Sequence, residues 1–228
     1  LELDVDGTSA VTINGKAYPT KHIDENKLYV YLPAGNYTVA NGNSQKIYTI
    51  ADDGTVSEVV VGTAFTITGT DLVYGTDYTY PADTGVLTIL SSKAVTIANA
   101  DPSTPTTDRI EVADGVSANI TLAGVNIDVS SQSNTAAFKI ADNSAGNVTI
   151  TLADGTTNTL KSGTNCAGLQ KNGEYSETLG KLTITGTGTL TATGGESGAG
   201  IGGGFGNGID GFRLIHDRIC FHCLSVPA

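Results

Sequence analysis

Apolar and polar residues alternate in short runs along most of the chain, and in the second half the runs recur. Four segments share a small-residue and aliphatic pattern: Arg109-Ile-Glu-Val, Ala137-Phe-Lys-Ile, Ala167-Gly-Leu-Gln-Lys and Ala199-Gly-Ile-Gly. Measured at Ile110, Phe138, Leu169 and Ile201, the steps are 28, 31 and 32 residues. A second series follows in phase: Asn119-Ile-Thr-Leu, Val148-Thr-Ile-Thr-Leu and Leu182-Thr-Ile-Thr, with Ile120, Ile150 and Ile184 spaced 30 and 34 apart. Two interleaved series of like period indicate stacked supersecondary units, each of which needs its neighbours to bury its apolar side.

Within a unit the alternation has period 2, the period of strands. It turns Val148, Ile150 and Leu152 to one side and Thr149 and Thr151 to the other. Asp and Gly fall where a chain would turn, at Ala113-Asp-Gly, Ala141-Asp-Asn and Ala153-Asp-Gly. About three short strands fit each period. That pattern predicts an all-β chain whose residues 63–208 wind as a right-handed parallel β-helix, a single-stranded solenoid of about four to five coils. Ile89 lies 31 residues before Ile120, which places the first coil near Val86. The segment ahead of it, with its tyrosines, is expected to cap the open sheet edge. The Pro-bearing stretch 98–108 reads as a surface loop between the first two coils.

Residues 1–62 stand outside the repeat. They hold five or so alternating runs, such as Leu28-Tyr-Val-Tyr-Leu and Ile47-Tyr-Thr-Ile, separated by turn signals such as Asn14-Gly15 and Asp53-Gly54. This predicts a small antiparallel β domain. The tail, residues 209–228, has a foreign composition, with two of the three histidines and two of the three cysteines. It reads either as a C-terminal cap, with Phe212, Ile215 and Ile219 on one helical face, or as a cloning or frameshift remnant. Cys220-x-x-Cys223 with His216 and His222 has metal-ligand residue types but lacks a second pair at workable spacing.

Charge and composition narrow the partners. The chain carries 23 acidic against 12 basic residues, a net charge of −11, and shows none of the basic clustering expected of a nucleic-acid binder. No stretch approaches the roughly 18 apolar residues of a membrane-spanning helix. Three cysteines, two of them together at the end, do not make a disulfide framework. Methionine is absent, which suggests a mature or excised piece of a longer chain with further domains. A Thr- and Asn-rich acidic surface suits a secreted or cell-surface protein, and carboxylates suit Ca²⁺.

The runs Asn119-Ile-Thr-Leu-Ala-Gly-Val-Asn-Ile, Val148-Thr-Ile-Thr-Leu-Ala-Asp-Gly-Thr-Thr-Asn-Thr-Leu and Gly180-Lys-Leu-Thr-Ile-Thr-Gly-Thr-Gly-Thr-Leu carry a family likeness. Over residues 63–208 the chain resembles a family of secreted bacterial carbohydrate-binding domains with a polysaccharide-lyase-like right-handed β-helix. The resemblance implies non-catalytic binding of a cell-wall polysaccharide or surface glycan, assisted by Ca²⁺. Alternatives are a structural stalk or adhesin segment and, more weakly, a polysaccharide lyase. No catalytic residue is assigned.

Candidate site residues follow from chemistry. Tyr74, Tyr78 and Tyr80 could stack on sugar rings or cover the first coil. Lys139 and Lys171 sit at nearby positions of adjacent coils, where they would form a short basic ladder towards a uronate or stand as solvated side chains. Asp114, Asp142 and Asp154 could share a Ca²⁺ ion across coils or serve as turn formers. Asn119 and Asn147 are expected to stack as an amide ladder. The alternating threonines from Thr183 to Thr193 form either a solvent face or a flat array of the ice-binding kind.

Overall fold

A computed structural model describes residues 2–4, 10–18, 23–24, 27–41, 44–173, 179–205 and 221–224. The described residues contain strands and no helices. The first part of the chain supplies β1 (Glu2–Asp4), β2 (Val11–Ile13), β3 (Lys16–Tyr18), β4 (Ile23–Asp24), β5 (Lys27–Tyr29), β6 (Gly35–Asn41), β7 (Ser44–Ile50) and β8 (Val56–Val59). They form two antiparallel sheets, β3-β2-β6-β7-β8 and β1-β5-β4. The β2–β3 hairpin turns on Asn14 and Gly15, both with positive φ (49° and 75°), as a two-residue loop between right-twisted strands requires. Val11, Ile13 and Val39 pack with Leu28 and Val30 in a small core of their own.

The chain then runs through β9 (Phe65–Thr68), β10 (Tyr78–Thr79), β11 (Val86–Ile89) and β12 (Ala94–Asn99) into a cycle of three strands. The first full pass is β13 (Arg109–Val112), β14 (Asn119–Leu122) and β15 (Asn126–Asp128). The second is β16 (Phe138–Ile140), β17 (Val148–Leu152) and β18 (Thr157–Lys161), and the third is β19 (Leu169–Lys171), β20 (Leu182–Gly186) and β21 (Thr189–Thr193). Finally come β22 (Ile201–Gly202) and β23 (Phe221–Leu224). Each strand pairs in parallel with its counterpart in the next pass, giving the ladders β11-β13-β16-β19-β22, β12-β14-β17-β20 and β15-β18-β21-β23. Two of these sheets are mixed, because β10 joins β11 and β9 joins β12 antiparallel at the start of the stack.

The registers explain the core. Ile110 stacks on Phe138, then Leu169, then Ile201, while Ile120, Ile150 and Ile184 stack in the second ladder. All but Ile201 are fully buried, and with Leu87, Ile97, Ile127, Leu160 and Leu190 they form one continuous apolar column. The 98–108 segment does more than loop out. Thr106 bridges Ile127, and the Asn99 amide accepts from the Asn126 N–H and donates to its C=O, both at 2.9 Å. Together they extend the third ladder above β15. The expected helical face of Phe212, Ile215 and Ile219 lies outside the described residues, but β23 from the tail adds to β21 in register.

Passes that stack at strand spacing leave no room for side chains at some of the corners where one pass crosses the next. A Cβ on Gly163 would overlap the carbonyl oxygen of Gln132, and one on Gly195 would overlap that of Gly163. Other corners need a left-handed residue but have space. Gly155 has φ +68° with nothing near its Cβ position, and Asn134, Asn165 and Ser197 take φ of 55°, 65° and 64° at equivalent places in three passes. Gly163→Ala is therefore expected to cost about 2 kcal/mol or more of unfolding free energy. Gly155→Asn should cost about 1 kcal/mol or less, since Asn tolerates this conformation. Urea denaturation of the two variants checks both.

Candidate functional site

The structure separates the three tyrosines. Tyr80 is 0% exposed. Its hydroxyl donates to the Asp108 carboxylate and accepts from the Ala64 N–H, and its ring lies 5.5 Å from that of Phe65. Burial, with the Asp108 contact adding to it, raises its pKa. A side chain without accessible surface cannot stack on a sugar, so Tyr80 is core, and Gly62 is the residue that makes room for its ring. Tyr74 is also buried and meets Tyr78 edge to face at 5.5 Å and 80°. Tyr78 alone keeps accessible surface.

What fixes these rings is Asp77, buried beneath the 71–78 segment. It accepts hydrogen bonds from the Val73 N–H at 2.8 Å, the Ser91 hydroxyl at 2.7 Å and the Lys93 ammonium at 2.8 Å. Burial opposes its ionisation, but these donors outweigh it and hold its pKa below the ordinary carboxylate value.

A Lys139–Lys171 ladder does not form. Lys139 pairs in register with Gln170, and Lys171 pairs with Ile140. A one-residue offset changes the face of a strand residue. Lys139 accordingly points outward to Asp142 at 3.1 Å, whereas Lys171 points into the core, 4% exposed, its Nζ without a hydrogen-bond partner among the described residues. Burial lowers its pKa.

The three aspartates do not come together either. Asp114 and Asp142 follow β13 and β16 at the same corner of successive passes, while Asp154 follows β17 at a different corner and accepts from the Thr187 hydroxyl at 2.7 Å. Among the described residues, no group of three or more His, Cys, Asp or Glu side chains is placed to hold a metal ion. Asn119 stands opposite Thr149 rather than Asn147, so that amide ladder is also absent. An amide contact forms instead at a corner, where Asn165 donates to Asn134 at 2.9 Å. The side chains of the Cys220–Cys223 motif lie outside the described residues.

The outward surface of the passes is rich in hydroxyls and amides. In the second ladder Thr68, Thr96, Thr121, Thr151 and Thr185 stack in one column, with Asn119, Thr149 and Thr183 beside them. In the third, Asn126, Thr159 and Thr191 form a column next to Asp128, Lys161 and Thr193. Lys161 reaches Asp128 at 3.0 Å, and Arg109 pairs with Glu111. Between residues 104 and 204 the only described aromatic side chain is Phe138, which is buried.

Other features were not read from the sequence, although signals for them exist. The alternation in Leu28-Tyr-Val-Tyr-Leu buries Leu28 and Val30 and leaves Tyr29 and Tyr31 exposed on the opposite face. Asn158, fully buried, accepts from the N–H groups of Gly124 and Val125 at 3.0 and 2.9 Å and donates to the Thr189 C=O at 3.2 Å, bridging three passes. No helix of the described residues is long and apolar enough to cross a membrane.

A family model described as "Carbohydrate-binding domain-containing protein" matches residues 104–204, just under half of the chain. Comparison with curated proteins and with solved structures finds no match.

Lys171 offers a test of the register. Lys171→Met keeps the volume and removes the unpartnered amine, and is expected to raise stability by about 1–3 kcal/mol at neutral pH. With the folded-state pKa lowered and the unfolded one near 10.4, the unfolded chain binds more protons between the two. Wild-type stability should therefore gain on the variant as pH rises through that window, and lose as it falls. Parallel urea titrations at pH 7, 8 and 9 measure the difference.

Proposed function

We propose that this chain is a non-catalytic carbohydrate-binding module that recognises a polysaccharide through the faces of its stacked passes. The single observation that carries the reading is the match of residues 104–204 to a carbohydrate-binding domain family. In this reading the cycle of three parallel ladders is a right-handed parallel β-helix, residues 1–62 are a separate antiparallel domain, and the protein works at a bacterial surface. The columns of threonine and asparagine supply hydroxyl and amide partners at strand spacing, which suits a regularly repeating polymer lying along the face. Three of the basic groups that a lyase could turn on an acidic sugar are engaged: Arg109 with Glu111, Lys139 with Asp142 and Lys161 with Asp128. That supports binding over cleavage. Ca²⁺ enters, in this proposal, as a bridge between glycan and the outward carboxylates at the Asp114 and Asp142 corner, where it competes with Lys139 for Asp142.

One observation favours a second reading, a structural stalk. Sugar sites commonly use an aromatic platform, and among the described residues 104–204 no aromatic ring reaches the surface. Co-sedimentation with insoluble cellulose, xylan and pectin, with and without EDTA, separates the readings. The binding module should pellet with at least one polymer, and loss on EDTA would report the Ca²⁺ bridge. Failure to pellet with any of them leaves the stalk.

A further inference from the structure

The five-stranded antiparallel sheet has two faces, and only one is used by its own core. Val11, Ile13 and Val39 turn to that core. The other face carries Thr12 paired with Ala40, and Thr38, Ile47 and Val59 in one row across the sheet. Residues of this face line cavities together with residues of β9, the edge strand of the second ladder.

Between them lie two cavities of about 400 Å³ each. One is lined by Ile47, Val59 and Phe65, with the Lys46–Glu58 ion pair (3.0 Å) at its side. The other is lined by Thr12, Asn14, Thr38 and Asp71. Ile67 and Tyr78 line both, so the two are neighbouring chambers of a cleft that share these residues.

The cleft is built rather than incidental. Its two walls are tied by the Val61–Pro81 bridge and by the Gly62 N–H donating to the Tyr80 C=O at 2.8 Å. Gly75 lies so close to Asn36 of β6 that a Cβ there would overlap the amide. Asp77, bound to Val73, Ser91 and Lys93, holds the segment that carries Tyr78. The Asn14 amide is fixed by the Thr38 N–H donating to its oxygen at 2.8 Å, which leaves the NH₂ group to donate.

We propose that this cleft is a second glycan site, outside the segment matched by the family model, and that its ligand is a neutral oligosaccharide. A pyranose presents an apolar C–H face and a rim of hydroxyls. The cleft offers an aromatic ring and aliphatic floor for the first, and threonine, asparagine and aspartate groups for the second. Its charge selects against a polyanion: Lys46 is neutralised by Glu58, Asp71 adds a negative charge, and the chain carries −11 overall. Two chambers in line suit consecutive sugar units.

The test is calorimetric titration of the full chain with cellohexaose, xylohexaose, mannohexaose and hexagalacturonate, with tyrosine chemical shifts followed in parallel. At least one neutral hexaose should bind more tightly than the uronate and shift the Tyr78 resonances. Thr38→Trp, which fills one chamber, and Tyr78→Leu should each weaken binding tenfold or more, while Asp53→Asn in a distant turn leaves it unchanged. Thermal melts report whether the variants fold; Thr12→Arg, at the rim, gives the same loss if Tyr78→Leu does not. Binding undiminished by the cleft variants, binding of the uronate alone, or no binding of any hexaose overturns the cleft. So does a response to an alternating Thr/Val hexapeptide with none to sugars, which would mark strand addition at β9. Polymer co-sedimentation that survives the cleft variants leaves the face-binding reading standing while the cleft falls.

Discussion

The structure depends on the parallel pairing of each strand with the strand one pass later. Backbone hydrogen bonding sets the separation of passes at about 4.8 Å, and every other feature must accommodate that distance. Apolar residues satisfy it by stacking like on like, as Ile120, Ile150 and Ile184 do. Corners satisfy it by shedding side chains: Gly163 sits against the Gln132 carbonyl and Gly195 against Gly163. The glycine richness of the later passes thus follows from crowding between corners as much as from turn conformation.

The same spacing decides which polar groups the interior tolerates. A buried amide or hydroxyl is stable only where it meets backbone groups of neighbouring passes. Asn158 binds two N–H groups above and a carbonyl below, and Ser162 accepts from Ala137 and donates to Ala167, both at 2.8 Å. Asn99 substitutes for a missing strand by pairing with both backbone groups of Asn126. These short side chains reach one pass and no further, which matches the geometry. Among the described residues Lys171 is the exception, a long amine directed into the column with no hydrogen-bond partner at its end.

Much of the architecture was legible because period 2 and a period near 30 are both properties of sequence alone. The strands and the inward set Val148, Ile150 and Leu152 came directly from alternation, and the pairing Ile110–Phe138–Leu169–Ile201 came from the repeat. The lysine and asparagine ladders failed for a shared arithmetic reason. Phe138 to Leu169 is a step of 31, so Lys139 meets Gln170, and Lys171, at a step of 32, falls on the opposite face. Asn119 meets Thr149 at a step of 30, not Asn147 at 28. A repeat whose length drifts by one residue loses the face and by two loses the partner, and ligand chemistry needs both. The tyrosines divide for a different reason, Tyr74 and Tyr80 being buried while Tyr78 keeps accessible surface. Nothing in Tyr74, Tyr78 and Tyr80 says which ring covers the core, because that depends on where the Phe65 ring and the Gly62 backbone stand after folding.

Repetition also bears on where recognition can reside. A ladder offers the same polar groups at each pass, which suits a repeating polymer but discriminates poorly among polymers of similar pitch. Discrimination needs places where the repeat is broken. The start of the stack is such a place. There β9 and β10 run antiparallel to their neighbours, the 71–78 segment is pinned by a buried carboxylate, and residues of a sheet from outside the repeat line cavities together with β9. The elements that terminate the stack create a cleft with an aromatic floor and a mixed polar rim, which no regular pass provides. Capping an exposed sheet edge and shaping a ligand site are then met by the same residues, and Tyr78, set between the two chambers, belongs to both.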